Sequence, residues 1–94
     1  MNEKYFAIMI GRCVNVVGKE RSDSIKDQVI NEASKRKVSI NSNQVWVKRQ
    51  LLMRLRKEAI FELEKIHDRS SEIANILGIS EGLVRRIRAE KTAV

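Results

Sequence analysis

Apolar residues return every three or four positions along most of this chain, and none of its 94 residues is a proline. Proline removes a backbone donor and clashes with the preceding turn, so its absence leaves long uninterrupted helices open to the chain. Residues three and four apart share one face of a helix, whereas a strand alternates with period two. Phe6, Met9, Ile10, Cys13 and Val17 thus predict a first helix over about Glu3 to Val17, with Gly18 following where a left-handed C-terminal cap is wanted. Gly11 weakens that helix by about 1 kcal/mol relative to alanine, and the β-branched content keeps a strand as the alternative. Lys19 to Ser24 reads as a polar break with N-caps at Ser22 or Ser24, after which Ile25, Val29, Ile30 and Ala33 mark a short second helix ending near Lys35. Lys37 to Asn43 reads as a loop or one brief extended segment.

Ser42 or Asn43 can cap a long third helix running to about His67, in which Leu52, Leu55, Ala59, Leu63 and Ile66 form an apolar stripe. The opposite face is charged, carrying Arg54, Lys57, Glu58, Glu62, Glu64 and Lys65, and Trp46 near the start is expected to anchor packing. The fold class is therefore all-α. Hydrophobic residues make up 43% of the chain but aromatics only 4%, so Leu, Ile and Val must fill its core. A chain of this size forms one compact unit. It divides into residues 1–43, a helical region that serves either dimerisation or as a cover over the rest, and residues 44–94, the long helix together with the C-terminal third.

Nineteen Lys and Arg stand against twelve Asp and Glu, a formal charge of +7. Such a field attracts polyanions, nucleic acid first and an anionic membrane surface second. The longest apolar run, Tyr5 to Ile10, falls far short of the roughly 20 residues a membrane-spanning helix needs. The single Cys13 cannot form an internal disulfide and no secretory leader pattern precedes it, so a soluble, cytoplasmic protein is expected. Cys13 reads as a small buried hydrophobe and His67, the only histidine, as a favourable charge at a helix C-terminus. No nucleophile with base and orienting group, no paired carboxylates and no phosphate-cradling glycine loop stand out. An enzyme is not expected, nor a cofactor or metal.

The run Ser70 to Ala89 reads as helix, tight turn, helix. Ser70 or Ser71 can cap the first helix, Ile73 and Leu77 form its inner face, and Ala74 is small where a second helix must cross closely. Gly78 supplies a left-handed turn residue, Ile79 plugs the space between the helices, Ser80 caps the second helix, and Val84 and Ile87 turn back into the core. Glu81, Gly82, Arg85 and Arg86 are left facing out.

In these residues the chain resembles the helix-turn-helix superfamily of bacterial and phage regulators, including the sigma-factor region-4 type. The resemblance covers about the last 25 residues and rests on Ala74, Gly78, Ser80 and five aliphatic positions in register. It implies a C-terminal tri-helical helix-turn-helix, with Ala59 to Ile66 supplying the supporting helix, and no close family is recognised for residues 1–43. In such a module the second helix lies in the major groove while the first crosses the backbone. Arg85 and Arg86 are then the base-reading candidates, since an arginine can donate two parallel hydrogen bonds to guanine, worth about 1 to 3 kcal/mol of discrimination. Ser70, Ser71 and Ser80 suit phosphate oxygens, and Arg69, Arg88 and Lys91 are phosphate candidates. Glu81 either accepts from a cytosine amine or favours the helix N-terminus electrostatically, the second being preferred. Gly82 cannot read a base but lets the backbone come close to DNA.

The plainer reading is a helical hairpin that only packs, with Arg85, Arg86 and Arg88 as a solvated face. Eight positions in register, added to the net charge, favour DNA. The implied function is a sequence-specific transcriptional regulator of a phage, plasmid or other mobile element, bound to double-stranded DNA. The alternatives are a protein-interaction factor, such as an antirepressor or an adaptor for RNA polymerase, and an architectural component of recombination or transfer. One such module covers a half-site, so a homodimer is expected. Its seam is placed on Phe6, Met9, Ile10, Cys13 and Val17, with the long helix around Trp46 and Leu52 as an addition.

Overall fold

In a computed structural model that describes residues 2–92, the chain forms five helices: α1 Glu3–Val17, α2 Lys19–Ser34, α3 Ile40–Leu63, α4 Ser70–Leu77 and α5 Glu81–Thr92. No strand occurs among the described residues, so the first segment is helical despite its β-branched content. The Asn2 side chain caps α1 by accepting from the Lys4 and Tyr5 amides at 2.8 and 3.4 Å.

The polar break expected over Lys19 to Ser24 is helix instead. Gly18 takes φ 95° and ψ 155°, a conformation essentially closed to residues with a Cβ, and this one residue turns the chain sharply enough for α2 to start at Lys19. Ser22 is therefore no cap: it lies inside α2, 6% exposed, on the face that buries Ile25, Val29 and Ala33. The polar residues before it occupy the solvent side, which is why they read as a break.

α3 begins and ends earlier than its sequence suggests. Ser39, not Ser42 or Asn43, is the cap, accepting from the Ser42 amide at 3.2 Å, while the Asn43 side chain donates across to the Ala33 carbonyl at the end of α2 at 2.9 Å. At the far end, the Lys65 and Ile66 amides bond back to Glu62 and Leu63, three residues rather than four, tightening the last turn. That turn carries Ile66 off the apolar stripe to 79% exposure, while Leu52, Leu55, Ala59 and Leu63 are buried as expected and Ile60 joins them. His67 lies beyond the helix: its amide donates back to the Leu63 carbonyl at 2.8 Å, while its side chain bridges to α4, with Nδ1 3.1 Å from a Glu72 carboxylate oxygen.

α3 is the axis of the molecule: α1, α2 and α5 all pack on it, and α4 packs on α5 and touches α1. One core cluster joins Cys13 of α1 and Ile25 of α2 to Leu55, Ala59, Ile60 and Leu63 of α3, Ile73, Ala74 and Leu77 of α4, and Val84 and Ile87 of α5. Of the dimer seam expected on α1 and α3, Met9 and Cys13 are wholly buried within the chain and Leu52 nearly so, while Phe6, Ile10, Val17 and Trp46 are half-buried. Trp46 is half-buried beneath the Arg36 guanidinium, 4.4 Å from the ring centroid, a cation–π contact that anchors the start of α3 to the end of α2.

Candidate functional site

The α4–α5 hairpin is built by local chemistry. Gly78 ends α4 in the left-handed conformation, φ 69° and ψ 37°, and the Ile79 amide reaches back to the Ala74 carbonyl at 3.0 Å. The Ser80 hydroxyl then accepts from the Leu83 amide at 3.2 Å at the start of α5. Ile73, Ala74, Leu77, Val84 and Ile87 all point into the core, and Ile79 packs half-buried against it. That inward set leaves Gly82, Arg85 and Arg86 on the exposed side of α5, with Glu81 partly covered in its first turn, where its charge favours the helix dipole. A Cβ added at Gly82 meets nothing within 4 Å, so packing within the chain does not demand a glycine there.

The cations chosen from the sequence separate into two groups. Arg88 is a strut: its Nε lies 3.2 Å from a Glu64 carboxylate oxygen, and one terminal nitrogen donates to the Asp68 carbonyl at 2.9 Å and the Ser70 hydroxyl at 3.0 Å. Lys91 pairs with the same Glu64 and lies 4.7 Å from the centre of the Phe61 ring. Both hold α5 to the end of α3 and the loop after it. Arg85 pairs with Glu81 at 2.6 Å one turn earlier on its own helix. Arg69 and Arg86 are exposed and hold no ion pair among the described residues. Ser70 and Ser71 do not cap α4, whose N-cap is Arg69 without a side-chain hydrogen bond; the Ser70 hydroxyl is occupied by Arg88 and Ser71 is exposed.

Two features were missed at sequence level. Arg12 of α1 reaches across to donate to the Leu77 carbonyl at 3.3 Å, and its guanidinium lies so close over Gly78 that a Cβ there would fall 1.9 Å from it. Sixty-five residues separate that donor and acceptor, and no local pattern signals such a contact. The second is a groove of about 310 Å³ between α3 and α5, walled by Arg54, Arg56 and Lys57 on one side and Arg86 and Glu90 on the other, with Met53, Leu83 and Ile87 as apolar lining. The step from Gln50 through Met53 to Lys57 along α3 was the available sign that a polar wall of the long helix flanks α5.

Two ionisable groups respond to this packing. Burial pushes the Cys13 thiol up to about 11 against the partial offset of the nearby Arg56 charge, which makes it a poor nucleophile. Glu32 is held below the ordinary carboxylate range chiefly by its hydrogen bonds from Arg54, which spans to it at 2.5 and 3.2 Å. Among the described residues no three His, Cys, Asp or Glu side chains gather as a metal site, and no helix is long and apolar enough to cross a membrane. What the site presents is an exposed face of α5 bearing Arg85 and Arg86, with a groove rich in cations between it and α3. Comparison with family models, with curated proteins and with solved structures found no match.

Proposed function

We propose that this chain is a sequence-specific DNA-binding regulator of transcription that reads the major groove with α5, using α4 and α5 as a helix-turn-helix and α3 as the supporting third helix. The reading is carried by one observation: Gly78, Ser80, Val84 and Ile87 together present Gly82, Arg85 and Arg86 outward on a two-sided helix. A major groove about 12 Å wide admits a helix, and arginine offers the paired donors that guanine accepts. The formal charge of +7 supports the same partner by steering it toward a polyanion. Arg86, with no ion pair among the described residues, is the principal base reader. Arg85 joins it when its exposed pair with Glu81 opens, a change of small cost for ions in water. Arg69 and Ser71 at the start of α4 contact phosphate. Arg88 and Lys91 act instead by holding the module together. Two copies on half-sites about one DNA turn apart complete the arrangement.

Selection of bound duplexes from random DNA tests the proposal, followed by anisotropy titrations of the selected and a scrambled sequence. A recovered motif whose affinity advantage collapses in Arg86→Ala, with the variant folded by circular dichroism, is the expected result. Duplexes bound with no sequence preference, or not bound at all, would overturn it and turn attention to a protein surface as the partner of α5.

A further inference from the structure

Of the cations nominated by the sequence, three are committed inside the chain: Arg85 to Glu81, and Arg88 and Lys91 to Glu64. Three cations without a counter-ion lie together elsewhere. Arg56, Lys57 and Arg86 line the groove between α3 and α5, and no ion pair holds any of them among the described residues. Arg54, in the same wall, is neutralised by Glu32, and Glu90 is the single carboxylate in the lining, so the groove carries a surplus of positive charge. The Nε of Arg56 is buried with no acceptor, so its guanidinium charge is not offset from within the chain, and an anion in the groove would meet the terminal nitrogens. Clustered cations repel one another, and among the lining residues only the Glu90 carboxylate stands to offset Arg56, Lys57 and Arg86.

We propose that this groove is a phosphate-binding site formed by Arg56, Lys57 and Arg86, and that its phosphate is a backbone phosphodiester of the DNA strand bordering the groove that α5 occupies. The inference rests on the DNA-binding reading and adds an electrostatic anchor on α3 to the phosphate contacts of Arg69 and Ser71 at the start of α4. Arg86 stands at the junction, on the exposed side of α5 and in the wall of the groove, so it couples base reading to backbone position. The acceptor oxygens of one phosphate suit the flat guanidinium fork of Arg56 with Lys57 as a point charge at the rim, while Arg86 gives the phosphate one edge of its guanidinium and keeps the other for the base.

The test combines salt titration with nuclear magnetic resonance of the arginine side chains. Each neutralised phosphate contributes about 0.9 to the slope of log affinity against log salt concentration. Lys57→Ala, at an exposed position, and Arg56→Lys, which keeps the charge but loses the fork, are measured beside wild type with duplex DNA. The expected result is a slope lowered by about 0.9 in Lys57→Ala with equal weakening on all sequences, and displaced Nε–H resonances of Arg56 and Arg86 in wild type on adding duplex. If wild type binds duplex while both variants keep its slope and affinity and the resonances stay in place, the groove takes no phosphate and the DNA reading survives without it. If wild type binds no duplex, the DNA reading fails, and titration with inorganic phosphate decides the site. A saturable shift at Arg56 and Arg86 then supports a phosphate site served by a free anion, and its absence overturns the site.

Discussion

Gly78 answers two demands at once, a positive φ and the guanidinium of Arg12 pressed over its α-carbon. Gly78→Ala should destabilise the chain by about 1 to 2 kcal/mol through backbone strain alone, read from the urea midpoint at constant slope. It also displaces Arg12 from the Leu77 carbonyl. Combining it with Arg12→Ala removes the collision but leaves the strain, so the two changes should be less than additive. Full additivity would show that Arg12 is not seated where Gly78 requires its space. Cys13 makes a prediction of another kind. Its buried thiol should resist aromatic disulfide reagents in the folded protein and react only as the chain opens. Between about pH 9, the ordinary thiol value, and about pH 11, the unfolded chain releases a proton that the folded chain keeps, so stability falls as pH rises through this window and is indifferent to Cys13 below it. A thiol that reacts as fast in buffer as in urea would contradict its placement.

In α5 the two faces should fail differently. Val84 is wholly buried, and Val84→Asp places a carboxylate in the core without a partner, so helical circular dichroism and any binding should be lost together. Arg86→Ala should leave the fold intact and cost about 1 to 3 kcal/mol on a preferred DNA site. Arg88→Ala separates a strut from a phosphate contact: it breaks partly buried charged hydrogen bonds to Glu64, Asp68 and Ser70 and should lower stability by about 1.5 to 3 kcal/mol in the absence of DNA. Unchanged stability would return Arg88 to the solvent-facing surface. Such distinctions mark where sequence reading stops. The bounds of α1 and the inward set of the α4–α5 hairpin were legible because apolar spacing and turn residues are local signals. The start of α2 was not, since one glycine at Gly18 replaced the polar loop that composition suggested. The ends of α3 slipped because Ser39, the actual cap, lies in a polar stretch that reads as loop, and only a shortened turn shows that Ile66 leaves the stripe. For the site, residue type named Arg85, Arg88 and Lys91 as cations, but their carboxylate partners on other turns and other elements could not be read from it.

At the scale of the whole molecule, α1 and α2 are structural partners of the α4–α5 hairpin rather than an appendage, because Cys13 and Ile25 belong to the same core as Ile73, Leu77 and Val84. A fragment of residues 40–92 should therefore lack cooperative unfolding, and adding a peptide of residues 2–35 should restore it in part. A fragment that melts cooperatively alone would show the C-terminal helices to be an autonomous domain. The Arg12 contact with the Leu77 carbonyl has a bearing on biosynthesis as well. Chains leave the ribosome N-terminus first, so α1, α2 and α3 emerge while the partner surfaces of α4 and α5 are still unmade. Until Leu77 is released, the Leu55 to Leu63 seam stands open to other nascent chains, and the arginine that will clasp the turn has nothing to hold. The helix proposed to read DNA is made after the helices it packs on, so translation cut short before the turn yields an aggregation-prone scaffold instead of a weaker regulator.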